Sequence, residues 1–449
     1  MTKLPENACV YPFKAAMLAH GLPATPCCRF HHRFLKDIDT KELAMVLGGA
    51  EEGVANDLIE VMRSRIYDDL MDYTSQTFQE VRETMMRNEW HPGCYKCRAD
   101  EESKGHSMRT EAGAFFDNFD DEVKLEYLEI TVGRKCNLKC MSCGPEYSNK
   151  WDTDAIKFPE LGVPAEEVEQ LKKVEELDLT KTDDMPSSVF KDLKHIKVTG
   201  GEPFLHPQFL LFIKRLANEN LAPNITIEIF TNCTWWPAKT DYDSLAKFRK
   251  ILICPSIDGT GRLNEVLRFP SKWSTVEQTL DKWIAMRDEL GWDKVEIKTA
   301  TTINVINAPY MYDYLLWASV NKRINVMFQT VYEPNWLSIT HWPDWYKKKL
   351  KYTVLTQFDN YPEYLPRVRW DRFDKLKRLL INLCDTPSTD DNSYQYTDTI
   401  KKLLRHREIL DLEHMARFKN LLDLEATAIP EWGPGSRPDW QGRKFSEQK

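Results

Sequence analysis

From about residue 125 to residue 331 the chain alternates short β-branched runs with helical patterns, and this alternation restricts the fold more than any other feature. Leu125–Val132, His195–Thr199, Ile225–Thr231, Ile251–Ile257, Val295–Ile303 and Asn325–Val331 read as strands. Phe209–Asn218, Val276–Leu290 and Pro309–Val320 read as helices among them. Strands that alternate with helices pair in parallel through crossover connections, which implies an α/β fold. In such folds chemistry gathers beyond the carboxyl ends of the strands. Residues just after each strand are therefore the first candidates for function.

The segment directly after the first of these strands reads GRKCNLKCMSCGPEYSNKW and holds Cys136, Cys140 and Cys143 at offsets of four and three. With 11 cysteines in 449 residues, chance would place both offsets in only about one chain in a hundred. A structural zinc site usually takes four ligands in paired Cys or Cys/His groups. Here three unevenly spaced thiols stand with no histidine near them. Three thiolates on a four-iron cluster leave one iron open, which is what a catalytic metal site needs.

A second constellation lies nearer the N-terminus. Cys9, the pair Cys27 and Cys28, and Cys94-x2-Cys97 fall in the segments NACVYPF, PATPCCRF and HPGCYKCRAD. The Cys94/Cys97 spacing lets two thiolates meet one metal or cluster. Four ligands are needed, so one of Cys27 and Cys28 is spare, with Cys27 the favoured ligand. Four cysteines suit tetrahedral zinc as well as an iron–sulfur cluster, and the residues alone leave both open. The adjacent His31 and His32 read as surface residues. Cys233, Cys254 and Cys384 are scattered, and free buried cysteines usually serve as small apolar residues.

Composition sets the outer bounds. The 42% hydrophobic content with 29% charged residues is enough for a sizeable core. A net charge of −8, from 61 basic and 69 acidic residues, does not indicate a nucleic-acid partner. No apolar run is long enough to span a bilayer, and no signal peptide is visible, so the expectation is a cytoplasmic protein without a membrane partner. In a reducing compartment the cysteines read as metal ligands rather than disulfides. Residues 1–120 read as an N-terminal cysteine-rich module with a helical region from Glu51 to Asn88, and 121–335 as the strand–helix domain. Residues 336–449 read as a helical extension rich in Trp, Tyr and Lys, ending in a loose tail from Ile429.

The Cys136-x3-Cys140-x2-Cys143 motif after the first strand of a βα-repeat chain resembles the radical S-adenosylmethionine (SAM) superfamily. That resemblance implies a partial (β/α)6 TIM-like barrel, a catalytic [4Fe–4S] cluster and SAM as cofactor. It also implies reductive cleavage of SAM to a 5′-deoxyadenosyl radical that abstracts hydrogen from a substrate. Gly200, Gly201, Glu202 and Pro203 after the second strand match the family's GGEP motif, whose backbone and Glu meet the SAM amino group. Phe230-Thr231-Asn232 resembles the TNG segment with Cys233 in the place of Gly. Ser256 and Asp258 match a SxDG segment placed near the SAM carboxylate and ribose. Thr302 and Asn304 are weaker candidates. Ser142 stands where the family commonly has an aromatic or large residue, so adenine contacts are expected from elsewhere.

The order of Cys9, Cys27/Cys28 and Cys94/Cys97 ahead of the barrel resembles the twitch or SPASM-type auxiliary module. It is similar in layout to twitch-domain radical SAM proteins, many from phages, whose place is the host cytoplasm. Ser148, Trp151 and the closing Ala428–Glu431 fit the same layout. This implies a second [4Fe–4S] cluster, a peptide or protein substrate, and a reductant such as flavodoxin or ferredoxin. Radical chemistry on a small molecule, nucleotide or RNA, and a non-catalytic Fe–S or zinc scaffold, are the alternatives.

Overall fold

The structure, a computed structural model, describes residues 2–6, 8–19, 24–30, 76–152, 179, 186–358, 367–388, 396 and 399–400. The two histidines at 31 and 32, most of the proposed 51–88 helical region and the tail from 429 lie outside the described residues.

All six expected strands are present and a seventh joins them. The strands are β1 Ala15–Ala19, β2 Tyr127–Thr131, β3 His195–Thr199, β4 Thr226–Thr231, β5 Lys250–Pro255, β6 Val295–Ile303 and β7 Asn325–Thr330. They form one sheet in sequential order, every neighbouring pair parallel. This is the parallel α/β sheet that the alternation implied, and it is consistent with the partial barrel that the resemblance implied, with one strand more. The extra strand comes from the N-terminal cysteine-rich region, so residues 15–19 belong to the barrel sheet. Ala15–Ala19 carries alanine, methionine and leucine, which favour helix over strand on their own. Pairing with β2 overrides that preference.

Alternation along each strand sorts the two faces. Leu128, Ile130, Ile196, Val198, Ile227, Ile229, Ile251 and Ile253 point outward into the main core against the helices. The helix Pro207–Asn218, here α1, buries Phe209, Phe212, Ile213 and Leu216. That i, i+3, i+4, i+7 spacing is one face of a helix, and Pro207 opens it where no intrahelical N–H partner is lost. The helix Trp273–Leu290, α2, buries Trp273, Val276, Leu280 and Trp283 on the same logic. The expected Pro309–Val320 helix is real only over Met311–Leu316, α3, and continues as a wider turn over Trp317–Asn321. The Trp-rich stretch serves packing, as its composition suggested: Trp336 and Trp342 are buried in the core, and Trp342 lies 4.7 Å from the Tyr346 ring. No helix of the described residues is long and apolar enough to cross a membrane.

The inward face is polar. Glu129, Lys197 and Glu228 are register partners across β2, β3 and β4, and Lys197 Nζ lies 2.8 Å from Glu129 Oε1.

One buried cation fastens the N-terminal segment to this sheet. Lys14, in the helical turn Tyr11–Lys14 before β1, is 0% exposed and places Nζ 2.6 Å from Asp120 Oδ1. Glu122 and Glu126 lie 3.8 and 4.0 Å away. Removing one partner of such a pair leaves uncompensated charge in a dry place. Lys14→Met should therefore destabilise the protein by about 3 kcal/mol in urea denaturation; a midpoint equal to wild type would show that this lysine is solvated instead.

Candidate active site

The loop leaving β2 carries the three thiols. Cys136 and Cys140 are buried and pack with Leu138 in a small cluster that Cys143 joins from a half-buried position. The loop is held from four sides. Cys136 N–H donates to Asn149 Oδ1 at 3.2 Å, and the Trp151 indole N–H donates to Cys140 O at 3.0 Å. The Ser148 hydroxyl donates to Leu138 O. Lys139 N–H and Met141 N–H donate to Phe269 O and Leu267 O at 2.7 and 2.8 Å, so a distant segment pairs with the loop as a strand would. Ser148 and Trp151, singled out in the sequence, thus shape the cysteine loop.

Backbone and amide N–H groups also reach the sulfurs. Leu138 N–H lies 3.4 Å from Cys136 Sγ, and Asn232 Nδ2 lies 3.7 Å from it while donating to Asn137 Oδ1 at 2.7 Å. Burial pushes the Cys136 thiol up to about 12, with the neighbouring Cys140 adding to the rise. The Cys143 thiol is raised through its contact with Cys140 and through burial. Three thiols crowded in a dry loop are costly as bare thiolates and suit a cationic centre that takes up their charge. Among the described residues, no three Cys, His, Asp or Glu side chains come together closely enough to hold a single metal ion.

The glycines of Thr199-Gly200-Gly201-Glu202-Pro203 are needed by the protein itself. Gly200 has φ +116°, and a Cβ there would stand 2.9 Å from Gly133 O. A Cβ on Gly201 would stand 2.2 Å from Lys135 O, which no side chain can occupy. The gap is closed because Gly201 N–H donates to Gly133 O at 2.6 Å and Glu202 N–H to Lys135 O at 2.9 Å. The β3 turn therefore presses directly on the residues that lead into Cys136.

Glu202 is fully buried and its carboxylate joins two strand ends. Oε1 accepts from the Thr231 hydroxyl at 2.8 Å and Oε2 from Asn232 N–H at 2.6 Å. Burial pushes its carboxyl up to about 7, against the pull of those hydrogen bonds. Pro203 is buried in the turn that follows. Cys233 adopts φ +60°, so the chain makes a glycine-like turn where the resemblance placed a glycine.

Beyond β5, the Ser256 N–H donates to Thr231 O at 2.7 Å. Asp258 is buried and engaged on both oxygens: Oδ1 accepts from Thr302 N–H at 2.8 Å, and Oδ2 lies 2.8 Å from Arg268 Nε. Asn304 caps the next turn by accepting from Ile306 and Asn307 N–H. Thus every strand-end residue singled out in the sequence lies in one contiguous zone at the carboxyl edge of β2 to β6.

Residues 130–299 match the family model of the radical SAM superfamily. GTP 3′,8-cyclases are among the chain's curated relatives: that of Sulfurimonas denitrificans is 32% identical over 116 residues, or 26% of this chain and 29% of that protein. That of Aliarcobacter butzleri is 31% identical over 91 residues, or 20% and 23%. The match thus spans less than a third of those relatives' length. Among solved structures, native anSMEcpe with bound AdoMet shows 17% identity and a TM-score of 0.34, covering 52% of this chain and 59% of that one. Streptococcus suis SuiB bound to precursor peptide SuiA shows 12% and 0.29, covering 68% and 65%.

Of the N-terminal cysteines, Cys9, Cys27 and Cys94 pack in one apolar cluster. Burial raises the thiols of Cys9, Cys27 and Cys94, and neighbouring cysteines add to the rise, Cys28 among them at Cys27. Tyr11 N–H serves Cys9 and Arg29 N–H serves Cys27. Cys28 also lies beside Cys27, with its sulfur 3.9 Å from Met108 Sδ. The residue as a whole is open to solvent, while the wall around its sulfur, and after it the Glu129 carboxylate, pushes the thiol up to about 12 beside Lys197. Those partners sit on the inward face of β2 and β3. The Tyr11 hydroxyl is buried, has no hydrogen-bond partner and lies near Cys27 and Cys9. A buried orphan donor beside Cys27 and Cys9 is what a site built around a missing acceptor leaves behind.

Several contributors carried no sequence signal. Asn149 and Arg268 act from loops or helix ends, Asn264 accepts from Asp258 N–H at 3.1 Å from within a short helix, and Arg268 meets the Cys140 sulfur across 128 residues. The pressed glycine turn yields a direct prediction. Gly201→Ala should keep the circular dichroism of the fold but lose iron at Cys136, Cys140 and Cys143 on anaerobic reconstitution. Wild-type iron content in that variant would show that the contact with Lys135 is dispensable.

Proposed function

We propose that Cys136, Cys140 and Cys143 hold a [4Fe–4S] cluster and that the chain is a SAM-cleaving enzyme acting on a peptide or protein. When bound, the cluster and SAM supply reductive cleavage of the sulfonium and a 5′-deoxyadenosyl radical that takes hydrogen from substrate. The observation that carries this reading is the buried three-thiol loop, locked by Gly200 and Gly201 at the carboxyl edge of a parallel barrel.

The chain's own residues have separate tasks. Asn232 and the Leu138 N–H direct donors at Cys136 Sγ. Glu202 ties the ends of β3 and β4 and keeps both loops in register. Backbone atoms of Gly200 to Pro203, Asn232 and Ser256 are the surfaces assigned to SAM. The low-dielectric surroundings of the loop keep water from the reacting centre. The electron is assigned to a small reductant protein such as flavodoxin or ferredoxin.

The substrate reading draws on the twitch-like cysteine layout and on the barrel interior. Glu129 and Glu228 flank Lys197, so the ammonium there is already balanced by carboxylates. That lining suits a polar peptide segment better than a triphosphate. The GTP 3′,8-cyclase relatives favour a nucleotide as the second reading. In the N-terminal module, Cys9, Cys27, Cys94 and Cys97 are assigned to a second [4Fe–4S] cluster, with Cys28 outside it.

Two measurements test these assignments. After anaerobic reconstitution and reduction with dithionite, wild type should convert SAM to 5′-deoxyadenosine and Cys140→Ala should form none; equal yields from both proteins would refute the cluster-based reading. Iron analysis should show about half the wild-type iron in Cys27→Ala and Cys94→Ala and an undiminished content in Cys28→Ala. Bound zinc lost with Cys94→Ala, at unchanged iron, would instead assign the N-terminal group to a tetrahedral zinc site.

A further inference from the structure

Arg268 stands at the end of the helix Gly261–Leu267, α4, in the segment whose carbonyls pair with the cysteine loop. It is buried. One guanidinium nitrogen lies 3.8 Å from Cys140 Sγ, and Nε lies 2.8 Å from Asp258 Oδ2, off the hydrogen-bond line. Asp258 is itself fixed by Thr302 N–H at 2.8 Å, by its own N–H donating to Asn264 Oδ1 at 3.1 Å, and by Asn307 Nδ2 donating to its carbonyl at 2.9 Å. These contacts run from the ends of β5 and β6 to a sulfur of the three-cysteine loop.

Among the described residues a single carboxylate, Asp258, balances this cation, and one guanidinium nitrogen is turned to sulfur. A buried charge needs a partner or it is expelled. The placement is explained if the sulfurs carry negative charge in the working protein. We propose that Arg268, held by Asp258, is a positioning residue that sets the reduction potential of the cluster at Cys136, Cys140 and Cys143. The inference rests on the cluster reading above. A fixed positive charge beside a thiolate ligand favours the oxidation state with the extra electron, because that state is one unit more negative. Arg268 therefore raises the potential and makes the electron easier to deliver. Asp258 acts in this account through Arg268.

The test is an EPR-monitored redox titration of the reconstituted full chain, following the cluster whose signal changes on adding SAM. Arg268→Lys should keep a potential close to wild type. Arg268→Gln should lower the reduction equilibrium about tenfold, a shift of about 59 mV for one electron, with SAM affinity retained. The double variant Arg268→Gln/Asp258→Asn, which leaves no unpaired buried charge, should shift in the same direction. An unchanged potential in either neutral variant at full iron content overturns the proposal. So does a lost SAM affinity at unchanged potential, which would assign Arg268 to the SAM carboxylate. If both neutral variants fail to take up iron while Arg268→Lys loads normally, the positive charge is required to hold the cluster, which supports the proposal. A wild type without any SAM-responsive signal would instead refute the reading of the three cysteines, a result distinct from unchanged variants.

Discussion

The close approach of the β3 turn to the residues before Cys136 is the contact on which the site depends. Gly201 comes so near Lys135 O that a methyl group would overlap it, and the two loops exchange backbone hydrogen bonds through that gap. This contact settles the path of the chain into Cys136 and thereby the direction of all three thiols. It also couples the loop to β3 and, through Glu202, to β4. A motif that reads as a ligand contact in sequence is first a packing device, because only glycine lets two backbones meet at that distance.

Buried polar groups serve the architecture in the same zone. Glu202, Asp258 and Asn304 each satisfy backbone donors at a strand end. Their side chains convert the carboxyl edge of the sheet from separate loops into one connected surface. Buried polar networks of this kind are rigid when fully paired and costly when broken. Rigidity here holds the donors of Asn232 and Leu138 at Cys136 and the guanidinium of Arg268 at Cys140.

The N-terminal region is tied into the barrel rather than appended to it. β1 extends the sheet beyond β2, Lys14 holds the approach to β2 through Asp120, and Tyr11 packs edge-on against Phe116 and Tyr127. Cys9, Cys27 and Cys94 consequently pack on structure shared with the barrel wall, and Cys28 lies beside Glu129 and Lys197.

Local signals made much of this legible from the chain alone. Period-two apolar runs located six strands, and their spacing by helices implied parallel order, since each run lies buried between helices and lumen. The Cys136, Cys140 and Cys143 spacing, the GGEP turn and the unusual Cys233 all announced themselves within a few residues. β1 escaped because alanine and methionine carry no strand preference and only the edge of β2 supplies it. Arg268 escaped because its partner lies 128 residues away and an arginine at a helix end looks like any other. The choice between Cys27 and Cys28 has no local signal either, because the spacing of two adjacent cysteines to the other ligands is nearly the same. Short-range spacing thus determined the chemistry available to this protein. Its arrangement around the sulfurs came from contacts between distant segments, which no local pattern encodes.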